Sequence, residues 1–170
     1  EAEALRETII SDRRALHAAP EAGADLPRTR EYVAGRLREM GYEPKELAGG
    51  ITAEITGSDT GNCVLLRADM DALCVTEQTD LPFRSQNGCM HACGHDFHTA
   101  SLLGTAKILK KHESELKGTV KLIFQCNEEG AGGTCGAKRM IEEGVLENPK
   151  VDSILGMHVA SIDKLPGGSV

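Results

Sequence analysis

Apolar residues recur at helical spacing in two stretches near the N-terminus of the chain. The positions are Leu5, Ile9 and Leu16 in the first stretch, and Val33, Leu37 and Met40 in the second. Residues three, four or seven apart lie on one face of a helix, so each stretch predicts an amphipathic helix. Gly41 follows the second stretch and favours the left-handed backbone that ends many helices.

Two short runs rich in Val, Ile, Leu and Thr follow, at residues 51–56 and 63–68. The turn-forming segment 57–61, Gly-Ser-Asp-Thr-Gly, separates them, and this arrangement predicts an antiparallel hairpin. Residues 69–94 then show little periodicity and are interrupted by Pro82 and by glycines. A connection of that length predicts a loop with a functional role.

Helical and strand patterns alternate in the second half of the chain. Leu102, Ala106 and Leu109 mark one helix, Ala137, Met140 and Ile141 mark another that ends at Gly144, and residues 119–126 and 151–159 have strand character. Such alternation predicts parallel strands linked by crossover helices. Together with the hairpin, these elements predict one α/β domain with a mixed sheet.

The composition of the chain argues against some classes of binding partner. The chain has 170 residues, of which 40% are hydrophobic, and its 26 acidic and 19 basic residues give a formal net charge of -7. This acidic balance, with only 3% aromatic residues, argues against nucleic acid as a partner. No stretch approaches the ~20 apolar residues that span a bilayer, and the first residues lack the features of a signal peptide. We therefore expect a soluble, cytoplasmic protein that does not bind membranes.

Six cysteines are scattered through the chain. In a chain long enough to bury its own core, we expect these thiols to be reduced rather than paired in a disulfide framework. Cys63 and Cys126 fall in or beside predicted strands, where cysteine usually acts as a small buried hydrophobe. Cys93 differs because histidines surround it.

The segment 89–98, Cys-Met-His-Ala-Cys-Gly-His-Asp-Phe-His, concentrates sulfur and imidazole, and the chain also has an adjacent acid pair, Glu128 and Glu129. Such groups suit a transition metal that activates water. The polar residues that follow predicted strands are Asp69 and Asp71, then Glu128 and Glu129, then His158. If these strands run parallel, all of these groups meet at the carboxyl edge of the sheet. Cys93 and His95 precede a predicted helix, whose N-terminus would favour the thiolate.

Each of these residues also has an ordinary structural explanation. The acid pair could be solvated, His158 could be a core histidine, and Cys93 with His95 could belong to a structural zinc site or a Cys-His dyad. A structural zinc site needs a second ligand pair that Cys126 and Cys135 do not supply, and the zinc deaminase signature does not occur. We expect His17 and His112 at the surface, and His91 and His98 beside the metal candidates or facing substrate.

Four motifs together resemble one family. They are Arg67-Ala-Asp-Met-Asp-Ala-Leu73, Met90-His-Ala-Cys-Gly-His-Asp-Phe-His-Thr-Ala100, Gln125-Cys-Asn-Glu-Glu-Gly130 and Gly156-Met-His158. In order and spacing they resemble the metallo-amidohydrolases of the aminoacylase, hippurate hydrolase and indoleacetyl-amino-acid hydrolase group. The resemblance implies a zinc-peptidase-like catalytic domain with two divalent ions of zinc, manganese, cobalt or nickel. The implied metal ligands are Cys93, His95, Glu129 and His158, with Glu128 as general base and Asp71 orienting a ligand.

The resemblance also implies hydrolysis of N-acyl or N-aroyl amino acids by a metal-activated water, in an intact protein that forms a homo-oligomer. Members of this group are roughly twice as long as this chain, consistent with two domains, and have a later histidine ligand. We therefore expect residues 1–170 to be the N-terminal portion of the catalytic domain, without the dimerisation or lid domain. The alternative is a metal-binding fragment or interaction module without turnover. Two departures from the family pattern are Cys-Asn at 126–127 in place of Pro-Ala, and an apparent insertion at 130–135.

Overall fold

The structure is a computed structural model, and it describes residues 1–58, 61–131 and 133–160. The helices are α1 (Arg6–Ala18), α2 (Pro27–Glu39), α3 (His95–Lys111) and α4 (Gly136–Glu142), with short 3-10 helices at Ala2–Leu5 and Glu113–Glu115. The strands are β1 (Lys45–Leu47), β2 (Gly50–Thr56), β3 (Cys63–Asp69), β4 (Thr119–Gln125) and β5 (Ser153–Gly156). Residues 59 and 60 of the predicted turn, and residue 132 of the apparent insertion, lie outside the described residues.

The strands form one mixed sheet in the order β1-β2-β4-β3-β5. β2 is antiparallel to β1 and to β4, whereas β3 runs parallel to both β4 and β5. This confirms the predicted α/β fold with a mixed sheet and parallel strands in the second half. The carboxyl ends of β3, β4 and β5 therefore meet at one edge.

The predicted hairpin between residues 51–56 and 63–68 is wrong, because β4 lies between β2 and β3. β4 is the most buried strand, with five consecutive buried residues, Lys121 to Gln125. A run buried on both faces gains most from a central place with a partner on each side. The observed hairpin joins β1 to β2 instead, through Ala48 and Gly49, which both have positive φ, as a tight hairpin turn requires.

Helices cover both faces of the sheet. On one face, α2 and α3 contribute Val33, Leu37 and Leu103 to a core that includes Ile51 and Phe124. α1 packs mainly against α3 on the same side. On the other face, Met140 of α4 contacts a smaller cluster that includes Leu65 and Ile123. The alternation of side chains along β3 and β4 divides the apolar residues between these two cores.

Two features at the β5 edge were not expected from the sequence. β5 is shorter than the predicted strand 151–159, and all four of its residues are exposed. The segment that leads into β5 is anchored by the buried Lys121, whose ammonium group donates to the carbonyl oxygens of Val145, Glu147 and Pro149. None of the helices in the described part of the chain is long and apolar enough to cross a membrane.

Candidate metal centre

The predicted site residues converge at the carboxyl edge of the parallel strands. Asp69 ends β3 and Asp71 follows it, Glu128 and Glu129 follow β4, and His158 follows β5. Cys93 and His95 reach the same edge from the start of α3. The structure thus brings together all six residues that the sequence singled out for metal binding and catalysis.

His95 lies at the middle of this group and is fully buried. Its Nδ1 lies 2.8 Å from the carbonyl oxygen of Asp71, so the ring donates a proton there and is held in one orientation. Its Nε2 has no hydrogen-bond partner among the described residues. That nitrogen lies 3.8 Å from carboxylate oxygens of both Glu128 and Glu129. The Nε2 of His95 therefore lies next to carboxylate oxygens of both acids.

Asp71 shapes the turn after β4. One of its carboxylate oxygens accepts the backbone N–H of Glu128 at 3.0 Å, and the other accepts that of Glu129 at 3.1 Å. Asn127, just before them, has a φ of 49°, which breaks the alternation of the strand. Burial alone would raise the pKa of Asp71, but hydrogen bonds from His95, Glu128 and Glu129 outweigh it and lower the pKa. An ionised Asp71 thus keeps both glutamates at the site.

Cys93 and His158 form the opposite side of the cluster. The Cys93 Sγ lies 3.4 Å from the Nε2 of His158. Burial, followed by the nearby Glu129, Glu128 and Asp69, raises the pKa of Cys93 to about 11. The expected effect of the α3 N-terminus, a favoured thiolate, is therefore outweighed by burial and by the surrounding carboxylates. A bound cation would reverse this balance, because it neutralises those carboxylates and attracts the thiolate.

Ligand atoms of several side chains lie close enough to share an ion. Three groups have ligand atoms within 4.8 Å of one another: Cys93, His95 and His158; His95, Glu128 and Glu129; and Asp69, His95 and His98. Buried polar atoms without a hydrogen-bond partner in the described chain include the Nε2 of His95 and Oε1 of Glu129. Buried polar atoms are normally paired, so this set of sulfur, nitrogen and oxygen donors fits a divalent transition metal.

His98 has a structural role in this cluster that the sequence did not reveal. Its Nδ1 lies 2.6 Å from Asp69, and its Nε2 accepts the backbone N–H of Val159 at 2.8 Å. Both ring nitrogens are thereby occupied, which disfavours His98 as a metal ligand. The contact with Val159 instead ties the segment that carries His158 to the start of α3.

The expectation that His17 lies at the surface is wrong. This histidine of α1 is buried, with Nδ1 at 2.8 Å from Asp96 and Nε2 at 3.2 Å from Glu77. The two carboxylates are distant in the chain, so no local pattern could have indicated the contact. Asp96 follows His95 directly, and Glu77 lies in the long loop. His17 therefore connects α1 to both segments that approach the metal candidates.

Two other histidines are as expected in position. His112 lies at the partly exposed end of α3, where Glu1 and Glu115 pair with it. His91 is buried behind the cluster, and burial lowers its pKa to about 4. Cys63 and Cys126 are buried, as predicted for small hydrophobic side chains.

Comparison with known proteins places these motifs among metal-dependent hydrolases. A family model described as peptidase family M20/M25/M40 matches residues 65–169. N-acetylcysteine deacetylase of Bacillus subtilis is 44% identical over 171 residues, which cover 98% of this chain and 43% of that protein. An IAA-amino acid hydrolase of Arabidopsis thaliana is 46% identical, over 90% of this chain and 34% of that protein.

A solved structure shows the same fold. The crystal structure of a dinuclear metal binding peptidase of the M20 family from Bacillus subtilis superposes with a TM-score of 0.84 and 44% identity. The match covers 92% of this chain and 44% of that chain. This chain therefore spans less than half the length of the relatives that it matches.

Proposed function

Because this chain belongs to peptidase family M20/M25/M40, we propose that it provides the metal-binding part of a hydrolase that cleaves the amide bond of N-acyl or N-aroyl amino acids. The observation that carries the proposal is the convergence of sulfur, imidazole and carboxylate donors around the Nε2 of His95, which has no hydrogen-bond partner in the described part of the chain. Residues 1–170 would form the N-terminal portion of the catalytic domain of a longer, homo-oligomeric protein. The unpaired thiols of all six cysteines suit the reducing cytoplasm.

In this proposal Cys93, His95, Glu129 and His158 hold two divalent ions of zinc, manganese, cobalt or nickel. When bound, such ions lower the pKa of a water molecule and polarise the scissile carbonyl group. The mixed donor set admits soft and hard metals alike, so the donors do not select one of the four. His95 belongs to every candidate group, and its orientation by the Asp71 carbonyl makes it the fixed point of the site.

Glu128 is the proposed general base. Its side chain is 38% exposed, whereas that of the adjacent Glu129 is 22% exposed and has a buried oxygen without a partner among the described residues. The more accessible carboxylate can take a proton from water and transfer it to the leaving amine. Asp71 accepts the backbone N–H groups of both acids, which holds the turn from which their side chains start. One acid thus holds metal while its neighbour moves the proton.

The proposed substrate class rests on the relatives. Their names describe deacetylation of N-acetylcysteine and hydrolysis of conjugates between IAA and amino acids. An N-acyl-L-amino acid amidohydrolase of Geobacillus stearothermophilus is also similar, at 38% identity over 160 residues. The feature shared by these substrates is an amide between an acyl group and an amino acid. The acidic chain is a poor partner for nucleic acid, so we infer a small-molecule substrate.

A second candidate function is metal binding without turnover. It is favoured by the openness of the site beside His158, which is exposed together with all of β5. An open site excludes water poorly and cannot position a substrate from every side.

One paired experiment separates these candidates. The protein is purified without added metal, its metal content is measured, and hydrolysis of N-acyl and N-aroyl amino acids is then followed with each of the four metals added. For the 170-residue chain by itself we expect bound metal with very little hydrolysis, and for a longer protein containing it we expect both. Turnover by the short chain in the ordinary enzyme range of ~1–10³ s⁻¹ would contradict the need for further residues. Absence of bound metal from both proteins would contradict the proposed function.

A further inference from the structure

Two cysteines outside the metal centre lie opposite each other at the base of the long loop. Leu73 and Met90 form an isolated antiparallel bridge, in which each N–H donates to the other's carbonyl oxygen, at 3.0 and 2.9 Å. Cys74 follows Leu73 and Cys89 precedes Met90. In antiparallel pairing, the residues next to such a hydrogen-bonded pair form the closer, non-hydrogen-bonded pair. Cys74 and Cys89 hold those positions.

The spacing expected for a pair in these positions suits a disulfide bond. In regular pairing the Cα atoms of a non-hydrogen-bonded pair lie about 4.5 Å apart, and disulfides span Cα distances of about 4.4–6.8 Å. The chain bends at Cys74, where Val75 N–H donates to the Leu73 carbonyl oxygen at 2.9 Å, so the bridge ends with this cysteine pair. Both thiols are free, Cys74 exposed and Cys89 half-buried.

The two side chains also influence each other. Burial raises the pKa of the Cys89 thiol, and the charge of the neighbouring Cys74 raises it further. The other cysteines have different surroundings: Cys63 and Cys126 are buried in the core, Cys93 contacts His158, and Cys135 lies next to α4. Among the six cysteines, Cys74 and Cys89 are therefore the two that backbone pairing places opposite each other.

We propose that Cys74 and Cys89 are a redox modification site, which forms a reversible disulfide when the protein meets a small disulfide oxidant such as oxidised glutathione. The thiolate of the exposed Cys74 attacks the oxidant, forms a mixed disulfide and releases one glutathione thiolate. The Cys89 thiolate then attacks the Cys74 sulfur and releases the second glutathione. The two protein thiols lose two electrons and two protons in total, and the oxidant gains them as two thiols.

Such a bond would close residues 75–88 into a covalent loop next to the metal centre. This loop contains Glu77, which contacts His17, and Cys89 precedes the proposed ligand Cys93 by four residues. Closing the loop restricts its open conformations, which is the main way a disulfide stabilises a fold. The disulfide would thus restrict the loop that precedes Cys93 and His95, although neither of these residues takes part in the bond.

Peptide mapping tests the proposal directly. The protein is equilibrated with oxidised and reduced glutathione, remaining thiols are alkylated, and trypsin is added. Cleavage after Arg67, Arg84 and Lys107 places Cys74 in peptide 68–84, and Cys89 with Cys93 in peptide 85–107. We expect these two peptides to be joined by a bond that reducing agent breaks, with fragment ions assigning it to Cys89. The link should be absent in Cys74→Ser and present in Cys135→Ser, a matched change of another exposed cysteine.

Two outcomes would overturn the proposal. The first is that peptides 68–84 and 85–107 stay separate at every glutathione ratio, while a mixed disulfide with glutathione forms on Cys74. The second is that the fragment ions assign the bond to Cys93, because the oxidation would then involve the metal centre. Neither outcome bears on the proposed hydrolase activity, which the metal and turnover measurements test separately.

Discussion

The candidate metal centre has an inner wall and an outer wall, which the chain supports in different ways. The inner wall is Asp71 and His95, which are almost inaccessible to solvent and are joined by the hydrogen bond from His95 Nδ1 to the Asp71 carbonyl oxygen. The outer wall is Cys93 and His158, which contact each other while His158 and all of β5 are exposed. The inner wall is held by the core of the sheet, whereas the outer wall depends on an edge strand and on contacts that include the hydrogen bond from the Val159 N–H to His98.

This difference indicates which part of the site is preorganised. Groups held by buried hydrogen bonds keep their geometry before a ligand arrives, and groups on an exposed edge gain theirs from the ligand or from further protein. We therefore expect mutations in the inner wall to affect both folding and metal binding. Mutations in the outer wall should affect metal binding with little change in folding.

The largest expected effect concerns the acid pair between the two walls. In an active protein that contains this chain, Glu128→Gln should keep its metal and lose turnover by about 10²–10⁴-fold, because the amide cannot accept the proton. Its matched variant, Glu129→Gln, should lose metal. The measurements are metal content and turnover for both proteins. Equal metal loss in the two variants would show that the adjacent acids do not divide the roles.

A second comparison separates the walls themselves. Asp71→Asn should weaken metal binding by ~10–100-fold and lower the free energy of unfolding by about 1–3 kcal/mol, because one buried amide loses its carboxylate acceptor. His158→Ala should also weaken metal binding but leave the free energy of unfolding within about 0.5 kcal/mol, because its side chain is exposed. Denaturant unfolding without metal, combined with metal titration, gives both quantities. A large loss of stability in His158→Ala would show that the outer wall, like the inner wall, contributes to folding stability.

The pH dependence of metal affinity should reflect the protonation of both His95 in the inner wall and Cys93 in the outer wall. Burial alone would lower the pKa of His95, but contacts with Asp71 and Asp69 raise it, and the pKa of Cys93 is raised to about 11. Below these pKa values the metal must displace a proton from each side chain, so affinity should rise with pH. Each displaced proton contributes about tenfold per pH unit. Cys93→Ser should make the slope shallower by about one proton, and an unchanged slope would exclude the thiol from the site.

The smallest expected effect is that of a substitution on β5. Leu155 is 57% exposed, so Leu155→Ser should change the free energy of unfolding by no more than about 0.5 kcal/mol. The same change should reduce any self-association of the chain, because it shortens the apolar stretch that runs along the edge strand. Unfolding and sedimentation measurements test the two statements. A loss above about 1 kcal/mol would show that this edge is covered in solution.

The sequence predicted the inner wall better than its surroundings. Asp71, Glu128 and Glu129 were placed correctly because residues that follow parallel strands meet at one edge, and this depends only on strand direction. His95 was expected just before a helix, and it is instead the first residue of α3. Their assignments as ligand, base and orienting group came from the family resemblance and stay predictions.

Long-range pairing accounts for what the sequence did not reveal. The hairpin prediction failed because neighbouring strands in the chain need not pair, and the burial of β4 decided its central place. β1 was missed because the short polar run of Lys45 and Glu46 has no strand pattern. The burial of His17 depends on Glu77 and Asp96, which only the folded chain brings near it. No local sequence pattern indicates such long-range contacts.

The most direct test of the account is metal content in three matched proteins: the unchanged protein, Cys93→Ser and Cys135→Ser. Cys93 lies in the cluster of ligand atoms, whereas Cys135 is an exposed cysteine that belongs to none of the candidate groups in the described residues. A neutral hydroxyl cannot replace a thiolate ligand, so Cys93→Ser should bind clearly less metal per chain. The unchanged protein and Cys135→Ser should bind equal amounts. Equal metal in all three proteins would contradict the assignment of Cys93 and, with it, the metal centre described for this edge of the sheet.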